Sequence, residues 1–233
     1  MTVVFDNYEH REGLETSWGF ACMVRGAQKT ILFDTGGDGP ILLDNMMKLS
    51  IDTREVDVVV LSHAHPDHTG GLGAFIRLNP DVTVFMPQSF PGRFASEVTA
   101  CVTEVVEVRE PLEICDSVHS TGEMGTAIIE QSLVLSTDRG LVLITGCAHP
   151  GIADILEMIM SRFDQDEVLL VMGGFHLRSE PRPDRIVERF RELGVQRVGP
   201  CHCSGQEIRE SFAARYGPDY IEVGVGASIT LRD

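Results

Sequence analysis

The sequence predicts a layered α/β domain with a metal site at one sheet edge, and two observations favour this fold. Short apolar runs typical of buried strands alternate with segments whose apolar residues recur every three or four positions, as in amphipathic helices. Several of the apolar runs end in loops that contain histidine, the commonest metal ligand. Because 233 residues, 43% of them hydrophobic, can bury a sizeable core, we expect residues 1–233 to form a single domain.

The first third of the chain is dominated by predicted strands and turns. Expected strands lie at 2–5, 20–24, 30–34 and 57–61, and a short helix is expected at 41–49. The long polar connector that follows the first strand contains Trp18, which could form an apolar wall over a site or be a partly buried core residue. Asp34, at the end of its strand, is expected to orient a ligand histidine or the motif loop through hydrogen bonds.

Four metal-ligand side chains fall within six residues of the segment 62–71, Ser-His-Ala-His-Pro-Asp-His-Thr-Gly-Gly, which follows a predicted strand. His63 and His65, two apart, can project together from an extended loop. Asp67 and His68 lie beyond a proline turn and can face a second position. The spacing therefore predicts two adjacent metals. A surface loop rich in histidine by chance is the alternative, which the density of the pattern disfavours.

The rest of the chain repeats the order of strand, loop and helix. Expected strands are at 83–86, 102–108, 131–135, 140–145, 168–172, 195–199, 220–225 and 228–231. Expected helices are at 72–78, 152–163, 183–193 and 204–216, the last beginning with the capping-box sequence Ser-Gly-Gln-Glu. Its N-terminal end is expected near the metals, where it would favour an anionic group.

Three of these later strands end in a histidine loop, containing His149, His176 and His202 respectively. His176 is a candidate proton donor or substrate contact, with a ligand role and a purely structural role as alternatives. His119 precedes a turn and could approach the site, but a solvated or core role is the default.

Two further groups of residues have open roles. Arg178, Arg182 and Arg185 could bind a substrate phosphate or carboxylate, although a solvated basic stretch is the default. Cys201 and Cys203 should point to opposite sides of an extended segment, so at most one should face the site.

The composition favours certain partners over others. A formal charge of -16 opposes binding to nucleic acid or to an anionic membrane surface. The sequence shows neither a signal peptide nor an apolar run long enough to span a bilayer, so we expect a cytoplasmic protein, and isolated cysteines agree with that compartment. Self-association is left open.

The segment 62–71 resembles the signature of the metallo-β-lactamase superfamily, S-H-x-H-x-D-H-x-G-G, at every fixed position. The stretches 6–7, 31–36, 146–151, 173–177 and 200–203 resemble one subgroup, similar to the dihydropteroate-synthase-like enzymes of methanopterin biosynthesis. The resemblance implies a four-layer αββα sandwich with the metal site at the sheet edge.

The resemblance also implies a ligand set. His63, His65 and His149 would bind the first of two divalent metals, and Asp67, His68 and His202 the second. Zinc is expected, with manganese or iron as alternatives, and Asp67 and His176 are the expected catalytic residues.

One departure from the superfamily pattern concerns Cys147, which holds the slot that we assign to the usual bridging aspartate. The cysteine could be a bridging thiolate, it could be a small buried residue beside a bridging water or hydroxide, or the site could bind one metal tightly. We prefer the second interpretation, because a bridging thiolate would soften the site and be prone to oxidation.

The expected activity is hydrolysis of a small anionic phosphoester, acyl or lactone substrate by a metal-bound water, whose pKa falls to about 7. The subgroup implies an alternative, in which metals assist a transferase that displaces diphosphate from a pterin. A non-catalytic metal-binding protein is a second alternative, disfavoured by the six retained ligands. A flavodiiron-like redox role is disfavoured by His65, where those proteins usually have Glu, and a nuclease by the charge.

Overall fold

The computed structural model describes residues 1–177 and 182–231, which build two six-stranded β-sheets and the helices that flank them. The strands are β1 (Thr2–Phe5), β2 (Ala21–Val24), β3 (Ile31–Phe33), β4 (Val58–Val60), β5 (Thr83–Pro87), β6 (Glu104–Val108), β7 (Leu112–Cys115), β8 (Val118–Ser120), β9 (Leu133–Thr137), β10 (Gly140–Thr145), β11 (Val168–Gly174) and β12 (Val195–Cys201). The α-helices are α1 (Gly39–Lys48), α2 (Pro66–Thr69), α3 (Leu72–Leu78), α4 (Gly92–Thr99), α5 (Ile152–Phe163), α6 (Pro183–Glu192) and α7 (Gln206–Tyr216). Short 3₁₀ turns lie at Thr53–Glu55, His202–Ser204 and Gly217–Asp219.

Each sheet combines parallel and antiparallel strands. The first has the order β1-β2-β3-β4-β5-β6, and its strands from β3 onward are parallel. The second has the order β12-β11-β10-β9-β8-β7, with β10, β11 and β12 parallel and the remaining pairs antiparallel. Because the carboxyl ends of parallel strands meet at one edge, loops that follow β10, β11 and β12 lie side by side.

The buried apolar residues form three clusters, and the side chains of β4 contribute to two of them. Val58 and Val60 join the cluster between the two sheets, whereas Val59 joins the cluster under α1 and α3. A third cluster packs the second sheet against α5, α6 and α7. The layers are therefore helix, sheet, sheet and helix, and the predicted four-layer αββα sandwich is confirmed. Within the described residues, no helix has the length and apolar character needed to cross a bilayer.

The end of the chain differs from the prediction, because the expected strands at 220–225 and 228–231 do not form. This segment makes isolated bridges instead, in which Tyr220 pairs with Val198 and Ser228 with Thr2. Gly226 has a φ of +89°, so the chain turns there and cannot continue a regular ladder.

The predicted capping box is also wrong. Gly205 occupies the cap position of α7, and no side chain caps the helix. The Ser204 hydroxyl is engaged elsewhere, since it donates a hydrogen bond to the Cys201 carbonyl (2.7 Å) and accepts one from the Phe175 N–H (3.1 Å). A serine held by neighbouring strand ends cannot serve the helix.

Candidate metal centre

The loop after β4 carries the densest set of ligands, and glycines hold it close to the rest of the first sheet. Thr35 Oγ1 donates a hydrogen bond to the carbonyl oxygen of His68 (2.9 Å), and its backbone N–H donates to the same oxygen (2.8 Å). A side chain on Gly71 would collide with the Thr35 carbonyl oxygen, and one on Gly70 with the carbonyl of Gly37. Only glycine permits this approach.

The first cluster consists of His63, His65 and His149, whose ligand atoms all lie within 4.8 Å of one another. Nε2 of His63 lies 3.0 Å from Nδ1 of His65. Nitrogens that share one zinc at 2.0–2.1 Å in tetrahedral geometry would be separated by roughly 3.3 Å. His63 is fully buried, whereas His65 and His149 are partly exposed, so the cluster can be reached from outside.

The second cluster contains Asp67, His68, Cys147 and His202, again with ligand atoms within 4.8 Å of one another. Nε2 of His202 lies 3.3 Å and Nε2 of His68 3.7 Å from Oδ2 of Asp67. The Cys147 sulfur lies 3.3 Å from Nε2 of His68. Asp67 is the accessible member, with 20% of its side chain exposed.

Asp34 orients one candidate ligand of each cluster, His68 directly and His63 through Ser62. Its Oδ2 accepts hydrogen bonds from the Ser62 hydroxyl (2.7 Å) and from Nδ1 of His68 (2.7 Å), which confirms the orienting role predicted for it. Because the Ser62 proton points to Asp34, Oγ of Ser62 accepts from Nδ1 of His63, 2.9 Å away. Nε2 of His63 therefore carries the lone pair that a metal needs.

Asn7 fixes the tautomer of His202 in the same way. Its Nδ2 donates to the His202 carbonyl (3.3 Å), so its Oδ1 is the atom that accepts from Nδ1 of His202 (2.9 Å). Nε2 of His202 therefore presents a lone pair toward the Asp67 carboxylate, and it is buried without a hydrogen-bond partner. A lone pair facing an anion requires a cation between them, either a proton or a metal ion.

Glu130 positions the loop that carries His149, and sequence reasoning missed it. Its carboxylate is buried and accepts three backbone hydrogen bonds of 2.9 Å, two at Oε1 from Cys147 and Ala148 and one at Oε2 from His149. The available signal was a single acidic residue inside an otherwise apolar and polar uncharged stretch before β9.

Electrostatics within the clusters keep some ligands neutral and Asp67 ionised. Burial and the neighbouring imidazole of His68 hold the pKa of His63 well below its usual range. Burial, aided by His176, lowers the pKa of His149 to about 4. Burial opposes ionisation of Asp67, but the charge of the adjacent His68 imidazolium outweighs it and holds the pKa of the carboxyl well below its usual value.

His68 has the opposite tendency in the metal-free protein. Burial lowers the pKa of His68, but the Asp34 carboxylate outweighs it and raises that pKa to about 9. A cation at Nε2 would take the place of that proton, as metal binding to an imidazole requires.

A third group, formed by Cys147, His176 and Cys203, adjoins the second cluster. His176 is exposed, and its ring centroid lies 4.3 Å from that of His149. A hydrogen bond with Cys203 raises the pKa of His176. Cys201 lies in the core between the sheets, so one cysteine of the pair faces the site, as predicted.

Cys147 is buried, as our preferred interpretation holds, but its sulfur is not remote from the ligands. Its sulfur belongs to the second cluster, so both the buried-residue interpretation and a ligand role for Cys147 remain predictions.

The other candidates lie elsewhere or are less defined. The His119 ring packs 4.9 Å from that of Phe163 and joins none of the three ligand groups of the described residues. Arg182 and Arg185 are exposed at the start of α6, and Arg178 lies outside the described residues. Their predicted contact with substrate remains a prediction.

Comparison with known proteins identifies the fold. The model of the metallo-β-lactamase superfamily matches residues 19–89, which include the ligand loop after β4. The crystal structure of Tm1679, a metal-dependent hydrolase of the β-lactamase superfamily, superposes with a TM-score of 0.83 and 29% identity over 100% of this chain and 98% of that one. The chain carries the metallo-β-lactamase fold. This metallo-β-lactamase-fold protein also superposes on YhfI from Bacillus subtilis, with a TM-score of 0.70 and 13% identity over 97% and 96% of the two chains.

Among curated proteins, this metallo-β-lactamase-fold protein is similar to an enzyme that is not named as a hydrolase. It is 26% identical to the 7,8-dihydropterin-6-methyl-4-(β-D-ribofuranosyl)-aminobenzene-5'-phosphate synthase of Methanocaldococcus jannaschii, over 88% of this chain and 85% of that one. It is 28% identical to MJ0448, an uncharacterized protein of the same organism, over 80% and 84% of the two chains.

Proposed function

We propose that this protein is a hydrolase that depends on two divalent metals and acts on a small anionic phosphoester, acyl or lactone substrate. The observation that carries the proposal is the lone pair of His202 Nε2, buried 3.3 Å from the Asp67 carboxylate without a hydrogen bond. Nε2 of His149 in the first cluster is likewise buried and unpaired. Each such atom costs about 1–3 kcal/mol unless a ligand satisfies it.

The donor set supports one metal in each cluster. His63, His65 and His149 would hold the first metal, and Asp67, His68 and His202 the second, with the Cys147 sulfur as a further donor to the second. This mixture of nitrogen, oxygen and sulfur donors suits zinc, and the nitrogen and oxygen donors also suit manganese or iron. When bound, the metals supply Lewis-acid polarisation of a phosphoryl or carbonyl oxygen and an acidified water.

The protein's own residues would contribute charge and protons. Asp67 is ionised and partly exposed, so it can orient an attacking water by accepting a hydrogen bond from it. His176 is exposed beside His149, and its pKa is raised, so it can donate a proton to the leaving group. The overall charge of -16 repels anions from most of the surface. A centre loaded with two divalent metals would be the electropositive region that attracts an anionic substrate.

A transferase is the second candidate, and the similarity to the M. jannaschii synthase favours it. In the transferase reaction that the subgroup resemblance implies, an arylamine would displace diphosphate from a pterin, and the residues that hold the metals would keep the leaving group beside them. The same ligands would serve both reactions, because each develops negative charge on a leaving oxygen.

Metal content per chain, measured by plasma mass spectrometry on protein purified without chelator, is the first test. We expect about two equivalents in the wild type and fewer in His149→Ala. His119→Ala is the matched control, because His119 lies outside all three ligand groups and should leave the metal content unchanged. Absence of metal even after reconstitution would overturn the proposal.

Turnover then separates the candidates. Metal-dependent hydrolysis of bis(4-nitrophenyl) phosphate or a γ-lactone supports the hydrolase. Diphosphate release from a hydroxymethyl-dihydropterin diphosphate only when an arylamine is present supports the transferase. Retained metal with neither activity supports a non-catalytic metal-binding protein.

A further inference from the structure

Trp18, the only tryptophan of the chain, lies at the rim of the candidate metal centre. Its ring centroid is 4.8 Å from that of His202, with the two planes tilted by 52°. Although tryptophan offers the largest apolar surface of any side chain, 46% of Trp18 remains exposed. An apolar ring is therefore accessible to solvent within one ring's width of a candidate metal ligand.

The backbone around Trp18 is fixed on both sides. The Ser17 N–H donates to the Asp6 carbonyl (3.2 Å), and the Phe20 N–H donates to the Asp67 carbonyl (3.3 Å). The Phe20 carbonyl accepts a further hydrogen bond from the Gly36 N–H (3.0 Å). The segment that carries the indole is thus bonded directly to the loop that carries Asp67.

Two glycines allow this close approach. A Cβ on Gly37 would lie 2.8 Å from the Trp18 carbonyl oxygen, and one on Gly19 would lie 2.9 Å from the Gly37 nitrogen. Gly19 also has a φ of +143°, which other residues rarely adopt. An exposed side chain on a tightly anchored backbone keeps its position over the metal centre without having to be buried.

From these contacts we infer that Trp18 forms a subsite for a planar aromatic or heteroaromatic ring, attached within a few bonds of the anionic group of the substrate. The inference rests on the proposed function, because the anion is assumed to bind at the two clusters. His202 Nε2 lies 3.3 Å from Asp67 and the His202 ring lies 4.8 Å from the indole, so an anion bound beside these residues would be close to Trp18. A planar ring adjacent to the anion would meet the indole in a stacked or edge-to-face arrangement.

A competing role for Trp18 is to shield His202 from water. The two roles differ in what they change: a shield protects metal retention, whereas a subsite discriminates among ligands. Three phosphonates separate them, namely phenylphosphonate with a planar ring, cyclohexylphosphonate with a non-planar ring of similar size, and methylphosphonate with no ring.

Binding of each phosphonate to the metal-loaded full chain is measured by calorimetry for the wild type, Trp18→Ala and Trp18→Phe. An aromatic pair worth about 0.5–1.5 kcal/mol corresponds to about a two- to twelvefold preference of the wild type for the phenyl over the cyclohexyl compound. Trp18→Ala should lose this preference and keep its affinity for methylphosphonate, and Trp18→Phe should retain part of the preference. Because Trp18 is the only tryptophan, its fluorescence should change at the same phenylphosphonate concentrations.

Several results would overturn the inference. They are an unchanged phenyl preference in Trp18→Ala, an equal loss of all three affinities, and a fall in metal content, which would assign Trp18 to shielding. If the wild type binds methylphosphonate only with metal but shows no phenyl preference, the subsite is refuted and the proposed function stands. If no phosphonate binds in a metal-dependent way, the proposed function fails with it.

Discussion

Glu130→Gln is the substitution that best separates the two proposed metal positions. The carboxylate is buried and touches no proposed ligand side chain, yet it accepts the backbone N–H groups of Cys147, Ala148 and His149 at 2.9 Å each. Glutamine has nearly the same shape. Its single oxygen can keep the two bonds made at Oε1, but its NH₂ group must then face the N–H of His149.

The magnitude follows from this mismatch. A hydrogen bond to a charged group contributes about 1.5–3 kcal/mol, and the variant loses one such bond and weakens two others. We therefore expect the free energy of unfolding of the metal-free protein to fall by about 2–4 kcal/mol. The His149 loop should shift, and altered support of a ligand typically lowers metal affinity by about 10–100-fold.

The assay is a competitive titration with a chromophoric chelator, which resolves the two binding steps, together with urea unfolding of the metal-free protein. The metal held by His149 should be lost at a chelator concentration about 10–100-fold lower than in the wild type, and the other should change less, because glutamine keeps the bond to Cys147. Glu188→Gln, on the exposed face of α6, is the control and should change neither quantity. Equal weakening of both steps, or none, would refute the assignment of Glu130 to the first position.

Three further predictions concern other residues of the centre. Cys147→Ser should lower the affinity of the second metal by about tenfold if the thiolate is a ligand, whereas unchanged metal content would support the small-residue interpretation. Asp34→Asn should lower the affinity for the second metal by about 10–100-fold, because an amide NH₂ in place of Oδ2 would face the Nδ1–H of His68. Chelator titration measures this affinity, and an unchanged second binding step would contradict the prediction. Burial raises the pKa of Asp6 to about 6 from 3.8, so the folded metal-free protein binds the extra proton and loses stability as pH rises from about 4 to 6. Asp6→Asn should abolish that loss, about 3 kcal/mol at most, in urea unfolding at pH 4 and pH 7, and an identical pH dependence in both proteins would rule it out.

Elements of the fold could be predicted from the sequence where the residues that determine them lie close together in the chain. The strand β4 was predictable because Val58, Val59 and Val60 form a continuous apolar run, and the structure buries both of its faces. The hairpin of β9 and β10 was predictable from the turn between them. Ligand loops after β10, β11 and β12 could be expected to meet, because parallel neighbours end at one edge.

Features that depend on distant contacts could not be predicted. Asn7 orients His202 across 195 residues, and no periodicity connects the two. Glu130 precedes His149 by 19 residues and faces its loop across the open end of the β9–β10 hairpin, so its hydrogen bonds exist only after that hairpin has formed. Within 91–123, where only the strand at 102–108 was expected, the structure also places α4, β7 and β8. Strands this short carry too few residues for a pattern to show.

One carboxylate links the two proposed metal positions, and this link argues that they are not independent. Oδ2 of Asp34 accepts from His68 directly and from His63 through Ser62, so a ligand of each position depends on the same oxygen. Asp34 has a φ of +57°, which costs a non-glycine residue of order 1–3 kcal/mol, and its N–H donates to the Val60 carbonyl (2.8 Å). Backbone strain at a residue that reaches both clusters is tolerated when those contacts determine its position. A metal bound to His68 would fix its Nδ1–H toward Asp34, and Asp34 in turn keeps the Ser62 hydroxyl as the acceptor for His63.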